Sequence, residues 1–227
     1  MSYETYIFDL DGTLLDTLND LTTSCNYALR MNGMKERSID EVRHFVGNGV
    51  FKLIERAVPN GTPDTLLQDT YKTFIDYYME HSLDTTEPYP GIEDMLQHLK
   101  NDGCRMAVVS NKFYDATREL VDYFFGDYID VAVGECETAR PAIVPKGFPD
   151  HPLRKKPYPD TVHEALRQLG SAKRHAVYVG DSDVDLQTAK NSGLPCISVL
   201  WGFRNRDFLL AHGATTCIGE PEELLAI

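Results

Sequence analysis

The stretch Tyr6-Ile7-Phe8-Asp9-Leu10-Asp11-Gly12-Thr13-Leu14-Leu15-Asp16-Thr17 decides how the rest of the chain is read. Tyr6, Ile7 and Phe8 form a short apolar run, the pattern of a buried strand. The run ends in two carboxylates one residue apart, then a glycine able to turn the chain sharply. A strand that stops in Asp-x-Asp sets two acids at its carboxyl end, where open α/β sheets bind ligands. Alternation sends the Asp9 and Asp11 side chains the same way only where the strand continues; a turn instead frees Asp11 to stand over Asp9. Two carboxylates this close repel unless a cation or a proton intervenes, so the stretch calls for a metal ion.

Downstream, Asp16 or Thr17 caps a helix carrying Leu18, Leu21, Cys25, Ala28 and Leu29 on one side, and Gly33 ends it. Ser38-Ile39-Asp40-Glu41 has capping-box spacing. Gly47-Asn48-Gly49 breaks that second helix, and Thr62-Pro63 reads as an N-cap followed by proline at the first helical position. Residues 16–83 are therefore expected as an all-helical insert, with 1–15 and 84–227 forming a separate core. From Tyr89-Pro90-Gly91 onward, short apolar runs at 106–109, 129–133, 175–179 and 196–200 alternate with helical patterns. Such alternation predicts a doubly wound parallel sheet with helices on both faces. Three polar clusters directly follow apolar strands: Asp9 and Asp11, Ser110 and Asn111, and Asp181 to Asp185. In a parallel sheet all three converge on one edge.

Asp9-Leu10-Asp11-Gly12-Thr13-Leu14 resembles the first signature of the haloacid dehalogenase superfamily, in its phosphatase branch. Gly180-Asp181-Ser182-Asp183-Val184-Asp185 is similar to that family's fourth motif, Ser110 to its second, and Lys156-Pro157-Tyr158-Pro159-Asp160 to its Lys-Pro-x-Pro-Asp third. The resemblance implies a Rossmann-like core and a helical cap of the C1 type. It implies that Asp9 is a nucleophile forming an aspartyl-phosphate, and that Asp11 is the general acid and then the base that activates water. Ser110 and Lys156 would act on the phosphoryl oxygens. Mg²⁺ would be held by Asp9, Asp181 and the Asp11 carbonyl, with Asp185 one turn on, orienting water around it. Asn111 in the core and Arg43, Gly47 and Asn48 in the cap are candidates for substrate binding, although a helix break and a surface charge account equally well for the last three.

One departure from the family's pattern is a long stretch, 134–155, before Lys156, where relatives have a short link. It contains an approximate second copy of the lysine motif, Lys146-Gly147-Phe148-Pro149-Asp150. Lys156 is preferred because a convincing helix follows Asp160. Asp11 argues against the dehalogenases and phosphonate hydrolases, which lack that aspartate. Sugar phosphomutases usually carry a histidine where this chain has Leu21. The Gly-Asp-Ser motif, Trp201-Gly202-Phe203 and the layout are most similar to phosphoglycolate phosphatases, so the expected substrate is a small phosphorylated metabolite such as 2-phosphoglycolate. Pyrophosphatases and sugar-phosphate phosphatases share these motifs. A receiver-like phospho-acceptor also combines carboxylates, a hydroxyl, a lysine and Mg²⁺, but its acceptor follows a middle strand and it lacks a cap.

The bulk numbers agree with an enzyme of small molecules. The 227 residues carry 22 Lys and Arg against 35 Asp and Glu, a formal charge of −13. That acidity disfavours nucleic acid and anionic membranes as partners, so a phosphate substrate needs local positive charge. Five scattered cysteines with no zinc-like spacing read as reduced thiols. With no leader visible before the first strand and no long apolar run, a cytoplasmic monomer or homodimer is expected.

Overall fold

A computed structural model describes residues 3–136, 144, 146–149 and 151–227. Asp150, and with it the end of the second lysine motif, lies outside the described residues, as does much of the 134–155 stretch. The chain divides into two compact units, Met1–Leu15 with Pro88–Ile227, and Asp16–Glu87. Along it run β1 (Thr5–Phe8), β2 (Leu15–Asp16), α1 (Leu18–Met31), α2 (Ile39–Phe45), α3 (Val50–Ala57), α4 (Asp64–His81) and β3 (Glu87–Pro88). Then come α5 (Ile92–Asn101), β4 (Arg105–Phe113), α6 (Tyr114–Phe125), β5 (Val131–Glu135), α7 (Asp160–Leu169), β6 (Ala176–Gly180), α8 (Asp183–Ser192), β7 (Cys196–Val199), α9 (Arg206–Ala211) and β8 (Cys217–Ile218).

The first unit is built on a sheet of order β5-β4-β1-β6-β7-β8. Its strands pair in parallel throughout. From β1 the chain runs outward through β4 and β5 on one side, then returns to lay β6, β7 and β8 on the other. The order thus reverses beside β1, the crevice where doubly wound sheets take ligands. All four residues of β1 are buried. Tyr6 and Phe8 face a cluster with Leu96, Leu120 and Phe125 of α5 and α6. Ile7, between them, faces the opposite cluster with Val162, Ala165 and Ala189 of α7 and α8. One strand feeding two cores by alternation is what a two-layer helical cover demands.

The second unit is helical. Ser38 and Glu41 form the expected capping box at the start of α2. Thr62 does not cap α4: its hydroxyl donates to Pro59 O at 2.7 Å, and Pro63 is itself the N-cap. The helical insert was expected to stop at residue 83, but it ends at Glu87. The reason is Asp20 on α1, 3% exposed, which accepts from the amides and the hydroxyls of both Thr85 and Thr86. A buried carboxylate needs such donors, and meeting that need ties residues 85 and 86 to α1. None of the described helices is long and apolar enough to cross a membrane.

Candidate active site

Register builds the site. Phe8 pairs with Val108 on one side and with Val179 on the other. The residues that follow these partners therefore emerge side by side at one sheet edge: Asp9, then Ser110 with Asn111 and Lys112, then Asp181. β4 does not end at Val109 as expected. It runs through the polar cluster to Phe113, with a register shift between those two residues, and such an irregularity re-aims side chains. Past Asp9 the chain turns tightly: Leu14 N and Leu15 N both donate to Leu10 O, and Gly12 takes a φ of +81°. The turn, and not a continuing strand, is the arrangement adopted.

Lys156 is the hub. Its Nζ lies 2.7 Å from Asp9 Oδ1 and 2.8 Å from Asp185 Oδ1, and donates to the Tyr178 hydroxyl at 3.2 Å. Burial pushes its pKa down, but the carboxylates of Asp185 and Asp9 more than offset this, so the ammonium is held charged. Lys146, its counterpart in the second motif, is exposed. Asn111, expected to bind substrate, has its side chain committed elsewhere: Oδ1 accepts from Lys156 N at 2.7 Å and Nδ2 donates to Lys156 O at 3.0 Å. It therefore holds the lysine's backbone. Ser110 is buried, and its Oγ accepts from Lys112 N at 3.1 Å.

Asp185 was expected at the metal's edge, orienting water around it. Both of its oxygens are engaged by protein donors: Oδ1 by Lys156 Nζ and the Tyr178 hydroxyl, Oδ2 by Ser182 N and Oγ. The second pair is also the capping box of α8. Asp185 is thus foremost the partner of Lys156, leaving Asp9 and Asp181 better placed for direct contact with a cation. Burial raises the Asp185 pKa, but Lys156 and the other donors bring it below the usual carboxylate range. Asp9 goes the other way, raised by burial and by repulsion from Asp185. Asp181 is pushed up to about 7 by burial and Asp185, against the pull of Phe203 N–H and Arg204.

A cation fits this set. Ligand oxygens of Asp9, Asp181 and Asp185 lie within 4.8 Å of one another, all three residues buried. Four carboxylates, counting Asp11, face two buried ammonium groups, Lys156 and Lys112, with Arg204 partly exposed on the Asp181 side. A divalent ion would cancel the excess, and carboxylate oxygens suit a hard one.

The segment Trp201-Gly202-Phe203 closes the Asp181 side. Phe203 N donates to Asp181 Oδ2 at 2.7 Å, and Trp201 Nε1 donates to Thr13 O at 2.9 Å. A Cβ at Gly202 would overlap both the Gly12 carbonyl and the Asp181 side chain. Gly202→Ala is therefore expected to lower stability by about 1–3 kcal/mol in urea titration, as overpacking does, and to reduce activity by displacing Asp181.

The cap candidates belong to the other unit. Arg43 pairs with Asp40 at 3.6 Å, Gly47 has a φ of +124°, and Asn48 Oδ1 accepts from Arg56 at 2.7 Å. Two residues at the core site escaped the sequence reading. Lys112, on the heels of Ser110 and Asn111, pairs with Asp11. Tyr178 lay hidden in an apolar run, where its ring reads as core.

The model of haloacid dehalogenase-like hydrolases matches residues 6–199. A phosphoglycolate phosphatase of Rhodobacter capsulatus is 33% identical over 213 residues, 92% of this chain and 90% of its own. One from Aquifex aeolicus is 32% identical over 198 residues, 87% of this chain and 84% of its own. A solved structure from Lactobacillus delbrueckii subsp. bulgaricus, described as a candidate phosphoglycolate phosphatase, has a TM-score of 0.87 at 34% identity, covering 99% of this chain and 97% of that one.

Proposed function

Because the chain belongs to the haloacid dehalogenase-like hydrolases and is a phosphatase, we propose that it hydrolyses a small phosphomonoester, 2-phosphoglycolate foremost, through an aspartyl-phosphate on Asp9. The observation that carries this reading is Lys156 between Asp9 and Asp185 at the carboxyl end of β1, with Asp181 beside them. The choice of 2-phosphoglycolate rests on the activity named for the relatives above.

Among the described residues, both partners of the Asp9 carboxylate, Lys156 Nζ and Leu10 N, fall on Oδ1. Oδ2 is the oxygen that attacks phosphorus, while Oδ1 is held. Lys156 offsets the charge of nucleophile and phosphoryl group together, and Asp185 keeps the lysine in place. Ser110 Oγ donates to a phosphoryl oxygen. Asp11 protonates the departing oxygen, then takes a proton from the water that attacks the phosphorus and frees Asp9. Mg²⁺, held by Asp9 and Asp181, would supply positive charge to the phosphoryl oxygens. In the cap, Arg43 and Gly47-Asn48 are proposed to read the leaving group.

The test is phosphate release with Mg²⁺ across phosphoglycolate, pyrophosphate, sugar phosphates and nucleotides. Phosphoglycolate leading the panel supports the reading; pyrophosphate or a sugar phosphate leading would replace the substrate and keep the chemistry. No turnover on any of them would bring the phospho-acceptor reading forward.

The cation can be checked without turnover. A carboxyl raised from 3.8 to about 7 on folding favours the native state at low pH, and that contribution is lost as pH rises towards 7. A cation at Asp181 must displace that proton. Mg²⁺ should therefore raise the melting temperature little near about pH 5 and more near about pH 8, where a hundredfold excess over Kd adds up to about 2.7 kcal/mol of stability. Asp181→Asn should remove the difference. An equal rise at both pH values would contradict the assignment.

A further inference from the structure

Lys112 is the second buried lysine of the site. Its side chain is 1% exposed, and its Nζ stands 3.2 Å from Asp11 Oδ1, a carboxylate that is itself 14% exposed. An ammonium taken this far out of water is costly unless a charge meets it. Its backbone is held as well. Lys112 N donates to Ser110 Oγ at 3.1 Å, and Lys112 O accepts from the Thr117 hydroxyl of α6 at 3.2 Å. The register shift in β4 between Val109 and Phe113 lets one segment present both Ser110 and Lys112 at the sheet edge. Asp11, by contrast, sits in the turn after β1, with Gly12 at positive φ behind it.

We propose that Lys112 is a positioning residue for Asp11, fixing the carboxyl that hands its proton to the departing oxygen. The two lysines then divide the work: Lys156 serves the nucleophile and Lys112 serves the acid. This rests on the aspartyl-phosphate reading above. In that step the Asp9–phosphorus bond forms and the phosphorus–oxygen bond to the leaving group breaks. The leaving oxygen keeps the electron pair and takes the Asp11 proton, and the resulting Asp11 carboxylate remains beside the Lys112 ammonium. Water then cleaves the aspartyl-phosphate and returns a proton to Asp11.

Leaving groups separate this role from a structural one. An alkyl oxygen departs badly without a proton; a nitrophenolate needs one far less. kcat/KM covers the steps up to loss of the leaving group, so hydrolysis of the common aspartyl-phosphate does not enter it. For Lys112→Met, the ratio of kcat/KM for 2-phosphoglycolate to that for 4-nitrophenyl phosphate is expected to fall by about tenfold or more. A partly unfolded preparation scales both substrates alike and leaves the ratio untouched. An unchanged ratio overturns the proposal, including the case where both values fall together because Lys112 holds the phosphoryl group.

Should Lys112→Met not fold, the double variant Asp11→Asn with Lys112→Met removes both buried charges at once. Its ratio should equal that of Asp11→Asn alone, since an anchor without its carboxyl has nothing to position. A further drop in the double variant overturns the assignment. Asp9→Asn, run alongside, separates the two claims. Activity surviving there sinks the nucleophile, whereas the leaving-group ratio bears on Lys112.

Discussion

Asp9→Asn is expected to abolish Mg²⁺-dependent phosphate release on every substrate, by about 10⁴-fold or more, the scale of removing a covalent nucleophile. An amide oxygen at the same place carries no charge with which to attack phosphorus. The same substitution should not cost the metal-free protein stability. Burial and Asp185 hold the Asp9 pKa well above the ordinary carboxylate value, so the native state tolerates a charge there poorly. Above that ordinary value the charge counts against folding, and a neutral amide removes the penalty. Lys156 keeps Asp185 as a partner at 2.8 Å. A dead protein whose melting temperature without Mg²⁺ is equal or higher is the expected pair of results. Turnover that survives in Asp9→Asn would refute the nucleophile, and a sharp loss of stability would refute the electrostatic account.

Lys156→Met should do the opposite to stability. It leaves Asp9 and Asp185 facing one another in a buried pocket with no ammonium between them. Breaking a buried pair by removing one partner costs about 3–5 kcal/mol, which chemical denaturation reads directly. Activity should fall by about 10²–10³-fold, as when a preorganised electrostatic group is lost. Mg²⁺ should restore part of the stability, since a cation can stand in for some of the missing charge. If Lys156→Met instead melts like the parent protein, the lysine is not the hub described here.

The parts of the site that the chain spells out locally were legible. Tyr6 to Phe8 shows its burial as an apolar run, and Asp9 and Asp181 each stand one or two residues beyond such a run. Parallel topology then brings them together without further information. Lys156 was readable because the helix after Asp160 has its own pattern, though Lys146 offered a rival that only burial separates. What was not legible depends on contacts across the sheet. Lys112 is charged inside a buried strand, contrary to its hydrophobic pattern, and its partner Asp11 comes from the turn after another strand. Tyr178 shows apolar bulk to a sequence reader, whereas its hydroxyl is set by neighbours at positions 156 and 185. Asn111 has a short polar side chain that reads as a ligand for substrate, but a backbone 45 residues away claims it. The end of the helical insert was misjudged for the same reason: Thr85 and Thr86 carry no helix signal, and what fixes them is Asp20, far earlier in the chain.

The two points where the chain leaves the core and re-enters it are neighbours. Tyr89 N donates to Leu14 O at 3.1 Å, so the core holds the stem of the insertion closed by its own hydrogen bond. The helical segment is in this sense a cassette on a zipped stem. A tight turn of a few residues could bridge the stem without disturbing the register of β1 against β4 and β6, because grafts are best tolerated where the joined ends already lie together. Cassettes of other lengths could be exchanged at the same junction while the carboxylates and lysines of the core stay where β1, β4 and β6 put them.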